Sequence, residues 1–155
     1  MAAKKYSSAS KSAHVAEPAV AYQVRTRYQE SYGRPEVKLQ VIRAGLEPEA
    51  LTAFIDMFNG TQEDVARLLN ISDKTLRSYI RDSKTLNIGI SEHLIQLFEL
   101  FDKGITIFGN PGEFRTWLNL KNIGLGEKPV NLLDSLIGIE CVMDELSRIE
   151  YGALA

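Results

Sequence analysis

From Pro48 onward, apolar residues recur at helical spacing through most of the chain. Leu51, Phe54, Ile55 and Phe58 share one face of a helix, with Pro48 suited to its first turn and Gly60 to its C-terminal stop. Leu94, Leu97, Phe98, Phe101 and Ile105 repeat the pattern and predict a helix from Ser91 to about Ile107, with Ser91 as N-cap and Glu92 in the first turn. Asn110-Pro111-Gly112-Glu113 opens another: Asn110 caps, Pro111 takes the first helical position and Glu113 stands at the capping-box position. Phe114, Trp117 and Leu118 close that helix onto the core. After Pro129, the residues Leu132, Leu133, Leu136 and Ile137 predict a short helix, which Gly138 interrupts before the pattern resumes from Ile139 to Ile149.

Ahead of Pro48 two patterns compete. Tyr22 to Tyr32 fits a short helix or a strand. Val37 to Val41 alternates like a half-buried strand, whereas Leu39, Ile42 and Leu46 fit helical spacing. Residues 1–20 are rich in Ala, Ser and Lys and poor in large apolar groups, so they cannot repay the entropy of folding and are expected to form a disordered basic arm. The expected architecture is all-α, a helix-turn-helix unit followed by a small helical domain. It divides into the arm, a partly ordered segment over 21–47, a DNA-binding unit over 48–90 and a binding and dimerisation domain over 91–155.

Composition narrows the class. A chain of 155 residues, 45% hydrophobic, has room for one packed core or two small helical units, which excludes a large multidomain enzyme. No apolar run approaches the roughly 18 residues that span a bilayer, and no apolar leader follows Met1, so a soluble, cytoplasmic protein is expected. Cys141 is the single cysteine, which rules out an intrachain disulfide and a thiolate metal cluster. The net charge of −2 is unevenly spread: residues 1–43 hold eight Lys/Arg against three Glu, whereas residues 86–155 hold five against ten acidic groups. One end suits anions and the other suits basic surfaces.

Gln62 to Arg81 carries the requirements of a helix-turn-helix in register. Thr61 caps the first helix, Asp64 completes a capping box, and Val65, Leu68 and Leu69 point inward. Ala66 is small where the helices cross, and Asn70 accepts a positive φ at the turn. Ile71 plugs the core, Ser72 caps the second helix, and Leu76 with Tyr79 or Ile80 anchors it. The outward face then carries Ser72, Asp73, Lys74, Thr75, Arg77, Ser78 and Arg81, with Lys84 just beyond. Arg77 and Arg81 are candidates for guanine or phosphate contacts, and Ser72, Thr75 and Ser78 for phosphates or base edges. Asp73 and Asp82 dilute the positive field, and an ordinary helix pair with a solvated face is the competing explanation. Specific recognition by such a unit normally requires a homodimer placing two recognition helices about one DNA turn apart.

Further along, the run Phe108-Gly109-Asn110, Trp117-Leu118, Gly124-Leu125-Gly126-Glu127-Lys128-Pro129-Val130-Asn131-Leu132-Leu133, Gly138 and Leu146-Ser147-Arg148-Ile149-Glu150-Tyr151-Gly152 resembles the toxin-binding domain of Xre/MbcA/ParS-type antitoxins. The similarity extends back through Lys74-Thr75-Leu76 to Ile42-Arg43-Ala44-Gly45-Leu46, and leaves the first 40 residues outside. Such antitoxins pair with RES-domain toxins that consume NAD or use it to modify a target. The resemblance therefore implies an antitoxin that binds a RES-domain toxin, occludes its active-site cleft with the C-terminal region, and with it represses their shared promoter at operator DNA. The toxin-facing residues it implies are Arg148, Glu150, Tyr151, Gly152, Ala153, Leu154 and Ala155. Independently of the family, a helix ending at Tyr151-Gly152 leaves a short uncharged tail able to enter a cleft.

Weaker signals lead elsewhere. Gly124-x-Gly126 lacks the third glycine of a dinucleotide loop and reads as a turn. His14 and His93 have no Cys or second His at ligand spacing and read as surface residues. Cys141, among apolar helix positions, reads as a buried structural thiol. Glu140, Asp144 and Glu145 read as a solvated or toxin-facing acidic rim. No cofactor, metal or catalysis is expected. The alternative is a stand-alone dimeric helix-turn-helix transcriptional regulator, and an enzyme is the third class.

Overall fold

The computed structural model describes residues 26–152, an all-helical array in which Asn122 and Glu127 form one isolated antiparallel bridge. Residues 26–29 are helical. They are followed by α1 (Pro35–Ala44), α2 (Glu49–Phe58), α3 (Gln62–Leu68), α4 (Asp73–Arg81), α5 (Ile88–Phe108), α6 (Pro111–Leu118), a 3-10 turn (Pro129–Leu132) and α7 (Leu136–Gly152). The expected basic arm lies outside the described residues.

The competition over Val37–Val41 resolves to helix. Pro35 starts α1 and Gly45, at φ 85°, stops it in a conformation that disfavours a side chain. Ile42 and Leu46 face the core, whereas Leu39 is exposed. The half-buried Lys38 fixes α1 to α5 through Glu99.

The long helix α5 is the hub: α1, α2, α6 and α7 pack against it, and α2 also holds α3 and α4. Its inner positions Leu94, Ile95, Leu97, Phe98, Leu100 and Phe101 are fully covered. Phe54, Phe101 and Phe114 meet edge to face at 5.3 and 5.1 Å between ring centres, which suits the ring quadrupoles. Gly104 is required there, because a Cβ would lie 2.2 Å from the Phe114 ring.

Three helix ends differ from the expectations. α2 stops at Asn59, which takes the left-handed φ of 57°, and not at Gly60. Asn tolerates that conformation better than most residues, and the stop came one position early. α5 begins at Ile88, capped by the Asn87 side chain accepting from the Ile90 amide at 2.9 Å. Ser91 is instead fully buried: its hydroxyl donates to Leu86 O and accepts from the Leu46 amide, tying α5 to the chain on both sides of the helix pair. Finally, Gly138 does not interrupt a helix. It lies inside α7, where the backbone of the 3-10 turn passes so close that a Cβ would stand 1.8 Å from Leu132 O. Leu136 and Ile137, expected in a separate short helix with Leu132 and Leu133, belong to α7 and are exposed.

Candidate functional sites

The helix pair α3–α4 forms as its local chemistry dictates. Thr61 Oγ1 accepts from the Asp64 amide at 3.1 Å while the Asp64 carboxylate accepts from the Thr61 amide at 2.9 Å, which satisfies two otherwise unpaired donors. Hydrogen bonding from the Thr61 amide, and after it from the Thr61 side chain, pulls the Asp64 carboxyl below its ordinary 3.8. Val65, Ala66 and Leu76 are buried beneath the pair, and Asn70 takes φ 57° at the turn between the helices. Ile71 continues the turn by donating to Ala66 O at 3.0 Å and packs, partly buried, on the core with Tyr79 and Ile80. Ser72 accepts from the Thr75 amide at 3.0 Å and shares a 2.8 Å hydrogen bond with the Thr75 hydroxyl.

On the outer face, Lys74, Thr75, Ser78 and Lys84, together with Tyr79, line a shallow depression of about 480 Å³. Two ammonium groups and three hydroxyls there offer donors suited to phosphate oxygens. The two arginines are exposed but engaged. Arg77 lies 3.2 Å from Asp73 one turn back, and Arg81 meets both oxygens of Asp82 at 3.1 and 3.2 Å. The Arg81 hydrogen bonds hold the Asp82 carboxyl down to about 2, with Ser78 and Lys84 adding to the effect. Asp82 is therefore anionic throughout the neutral range and balances Arg81. Pairs this exposed are weak and exchangeable, so the guanidinium groups remain available to a polyanion.

The turn of the pair is also joined to the C-terminal region. Asn70 Nδ2 donates to Asp134 O at 2.7 Å, and one residue earlier Leu133 O lies 2.8 Å from His93 Nε2. His93 is thus buried against the turn before α7, contrary to its expected surface position, because that turn needs a partner for its carbonyl.

In α7, Ile139, Val142 and Leu146 form the inner face. Of the predicted toxin-facing residues, Arg148, Glu150, Tyr151 and Gly152 are exposed on the last turns, whereas Ala153, Leu154 and Ala155 lie outside the described residues. Glu150 lies 3.9 Å from Lys103 of α5. Arg148 meets Glu145 through Nε at 2.9 Å and Nη2 at 2.7 Å. Glu145 is correspondingly buried and belongs to no solvated rim, while Glu140 and Asp144 are exposed. Cys141, read from sequence as a buried thiol, is exposed, because the helix turns its Val142 neighbour inward instead. The turn at Gly124 and Gly126 is a turn: Gly126 has φ 78° and donates to Asn122 O. No group of three or more His, Cys, Asp or Glu able to hold a metal occurs among the described residues.

With this geometry in place, residues 103–152 match the family model of the antitoxin Xre/MbcA/ParS C-terminal toxin-binding domain. The match begins in the second half of α5 and covers α6, the glycine turn and α7. That segment is therefore similar to the toxin-binding domain of an antitoxin, a binding module. No curated protein matches the chain. No helix among the described residues is long and apolar enough to cross a membrane.

Proposed function

We propose that this chain is a cytoplasmic antitoxin that neutralises an NAD-consuming RES-domain toxin by covering its active site with the segment from Arg148 to Ala155, and represses its own operon through α3 and α4. The observation that carries the reading is the toxin-binding match over 103–152, which ends where α7 runs out into the exposed Tyr151 and Gly152. A short segment with apolar and small side chains beyond Tyr151 suits entry into a cleft. The acidic balance of residues 86–155 suits a cleft built for a dinucleotide's phosphates.

For DNA, the support is the coincidence of a tight helix pair with the Lys74–Lys84 depression and the neighbouring Arg77 and Arg81. In this reading α4 lies in the major groove of operator DNA, a homodimer supplies two such helices, and the division near residue 90 separates DNA-facing from toxin-facing functions.

Coexpression with the product of the adjacent reading frame tests the reading. The full chain restores growth arrested by that product, and a chain ending at residue 147 does not. Restoration by the truncated chain overturns occlusion by the tail, and operator binding without any effect on the toxin leaves a stand-alone regulator.

A further inference from the structure

The glycine turn and α7 build a second contact surface beside the tail. Asn122 and Glu127 close the turn as an antiparallel bridge, with the Asn122 amide donating to Glu127 O at 3.1 Å. Asn122 Oδ1 accepts from the Leu125 amide at 3.0 Å, and its Nδ2 donates to Glu145 Oε1 at 3.1 Å. A buried carboxylate on α7 therefore anchors the turn. The same carboxylate takes the Nε and Nη2 of Arg148, a two-point contact that fixes the plane of the guanidinium.

Arg148 is the only cation in α7, and its side chain is 70% exposed although it is held at one edge. Among the described residues no hydrogen bond uses its Nη1, so the opposite edge faces solvent. Gly124 makes room for this arrangement: a Cβ there would stand 2.7 Å from Arg148 Nη2 and 3.1 Å from Glu145 Oε2. Next to Gly124, Ile123 is 97% exposed, which a loop anchored at Asn122 has no folding reason to require. An immobilised guanidinium beside a projecting aliphatic side chain has the composition of a protein-binding hot spot.

We propose that Ile123 and Arg148 form one docking patch for the toxin, joining the first residue of the terminal segment to the glycine turn, in which the free edge of Arg148 receives an acidic side chain of the toxin and Ile123 enters an apolar recess. Glu145, Asn122 and Gly124 are positioning residues: they fix the guanidinium before the partner arrives, so less side-chain freedom is lost on binding. This inference rests on the toxin-binding reading of the same domain. The patch lies wholly within the matched residues. An acidic partner group follows from the chemistry of the fork, and an apolar one from Ile123.

The test measures the affinity of the full-length chain and its variants for the product of the adjacent reading frame by calorimetry, with helical content and melting temperature recorded in parallel. Arg148→Ala and Ile123→Ser each weaken binding by about tenfold or more, the size expected for a central interface residue. Arg148→Lys keeps the charge and loses the fork, so it restores only part of the affinity, and Glu145→Gln weakens binding while the chain remains helical. Raising the salt concentration weakens the wild type more than Arg148→Ala. If Arg148→Ala does not fold, Ile123→Ser and Arg148→Lys carry the test, since neither empties the Glu145 pocket. Wild-type affinity in Ile123→Ser and Arg148→Lys overturns the patch while leaving the toxin-binding reading intact. Failure of the wild-type chain to bind overturns both.

Discussion

Replacing Gly138 by alanine provides a sharp test of how the C-terminal domain is assembled. In an exposed helix the change stabilises by up to about 1 kcal/mol, because alanine is the better helix former. At Gly138 the new Cβ would lie 1.8 Å from Leu132 O and 2.7 Å from Leu132 C, where ordinary contact begins at 3.4 Å. The 3-10 turn therefore has to retreat by at least about 1.5 Å, and backbone displaced into a packed core costs roughly 1–3 kcal/mol. Retreat also strains the next two carbonyls, Leu133 O against His93 and Asp134 O against Asn70, each held at 2.8 Å or less. Losing those two hydrogen bonds adds about 1 kcal/mol apiece. After the helix-propensity gain, the expected loss is about 2–4 kcal/mol in the unfolding free energy. Urea denaturation followed by circular dichroism reads it directly as a lower midpoint at similar slope. Unchanged or increased stability would refute the close approach of α7 to the turn.

Other expectations follow from the same geometry. Ser91→Ala removes the partner of the buried Leu46 amide and is expected to cost about 1–3 kcal/mol by denaturant melt. The Asp64 carboxyl has a folded value below 3.8, so its stabilising contribution is complete above that pH and disappears as the pH falls through the folded value. Asp64→Asn is therefore less stable than wild type at neutral pH, and the two converge in acid; a gap independent of pH in paired melts would contradict the capping-box assignment. Arg77→Ala weakens operator binding by about tenfold in a gel-shift or anisotropy titration, and Asp82→Asn, which frees Arg81 and Lys84, strengthens it severalfold and steepens its salt dependence. Equal affinities across that set would remove α4 from the DNA interface.

The sequence made the helices legible wherever local chemistry decides them. The Thr61 and Asp64 box, the Asn70 turn, the Ser72 cap and the Asn110-Pro111 start all form from neighbours three residues apart. Where distant chain segments decide, sequence periodicity was insufficient. Ser91 has the composition of a cap, yet Leu46 and Leu86 claim its hydroxyl from 45 and 5 residues away. Gly138 resembles a breaker until the passing Leu132 carbonyl explains it. His93 and Glu145 are polar residues drawn inward by one carbonyl and one guanidinium, respectively, and Cys141 lies outward because its phase in α7 follows Val142 and Leu146. Of the candidate site, the α4 face was legible residue by residue. The anchoring of Arg148 by Glu145 and Asn122 was not, because Asn122 lies 23 residues from Glu145; the i,i+3 spacing of Glu145 and Arg148 was its one local signal.

The most direct measurement of the central claim is NAD turnover by the product of the adjacent reading frame, titrated with the purified full-length chain and with a chain ending at residue 147. The account predicts that the full chain abolishes turnover at a fixed stoichiometry and that the shortened chain leaves most of it. Equal inhibition by both, or turnover unaffected by the full chain, would contradict occlusion by the segment that begins at Arg148.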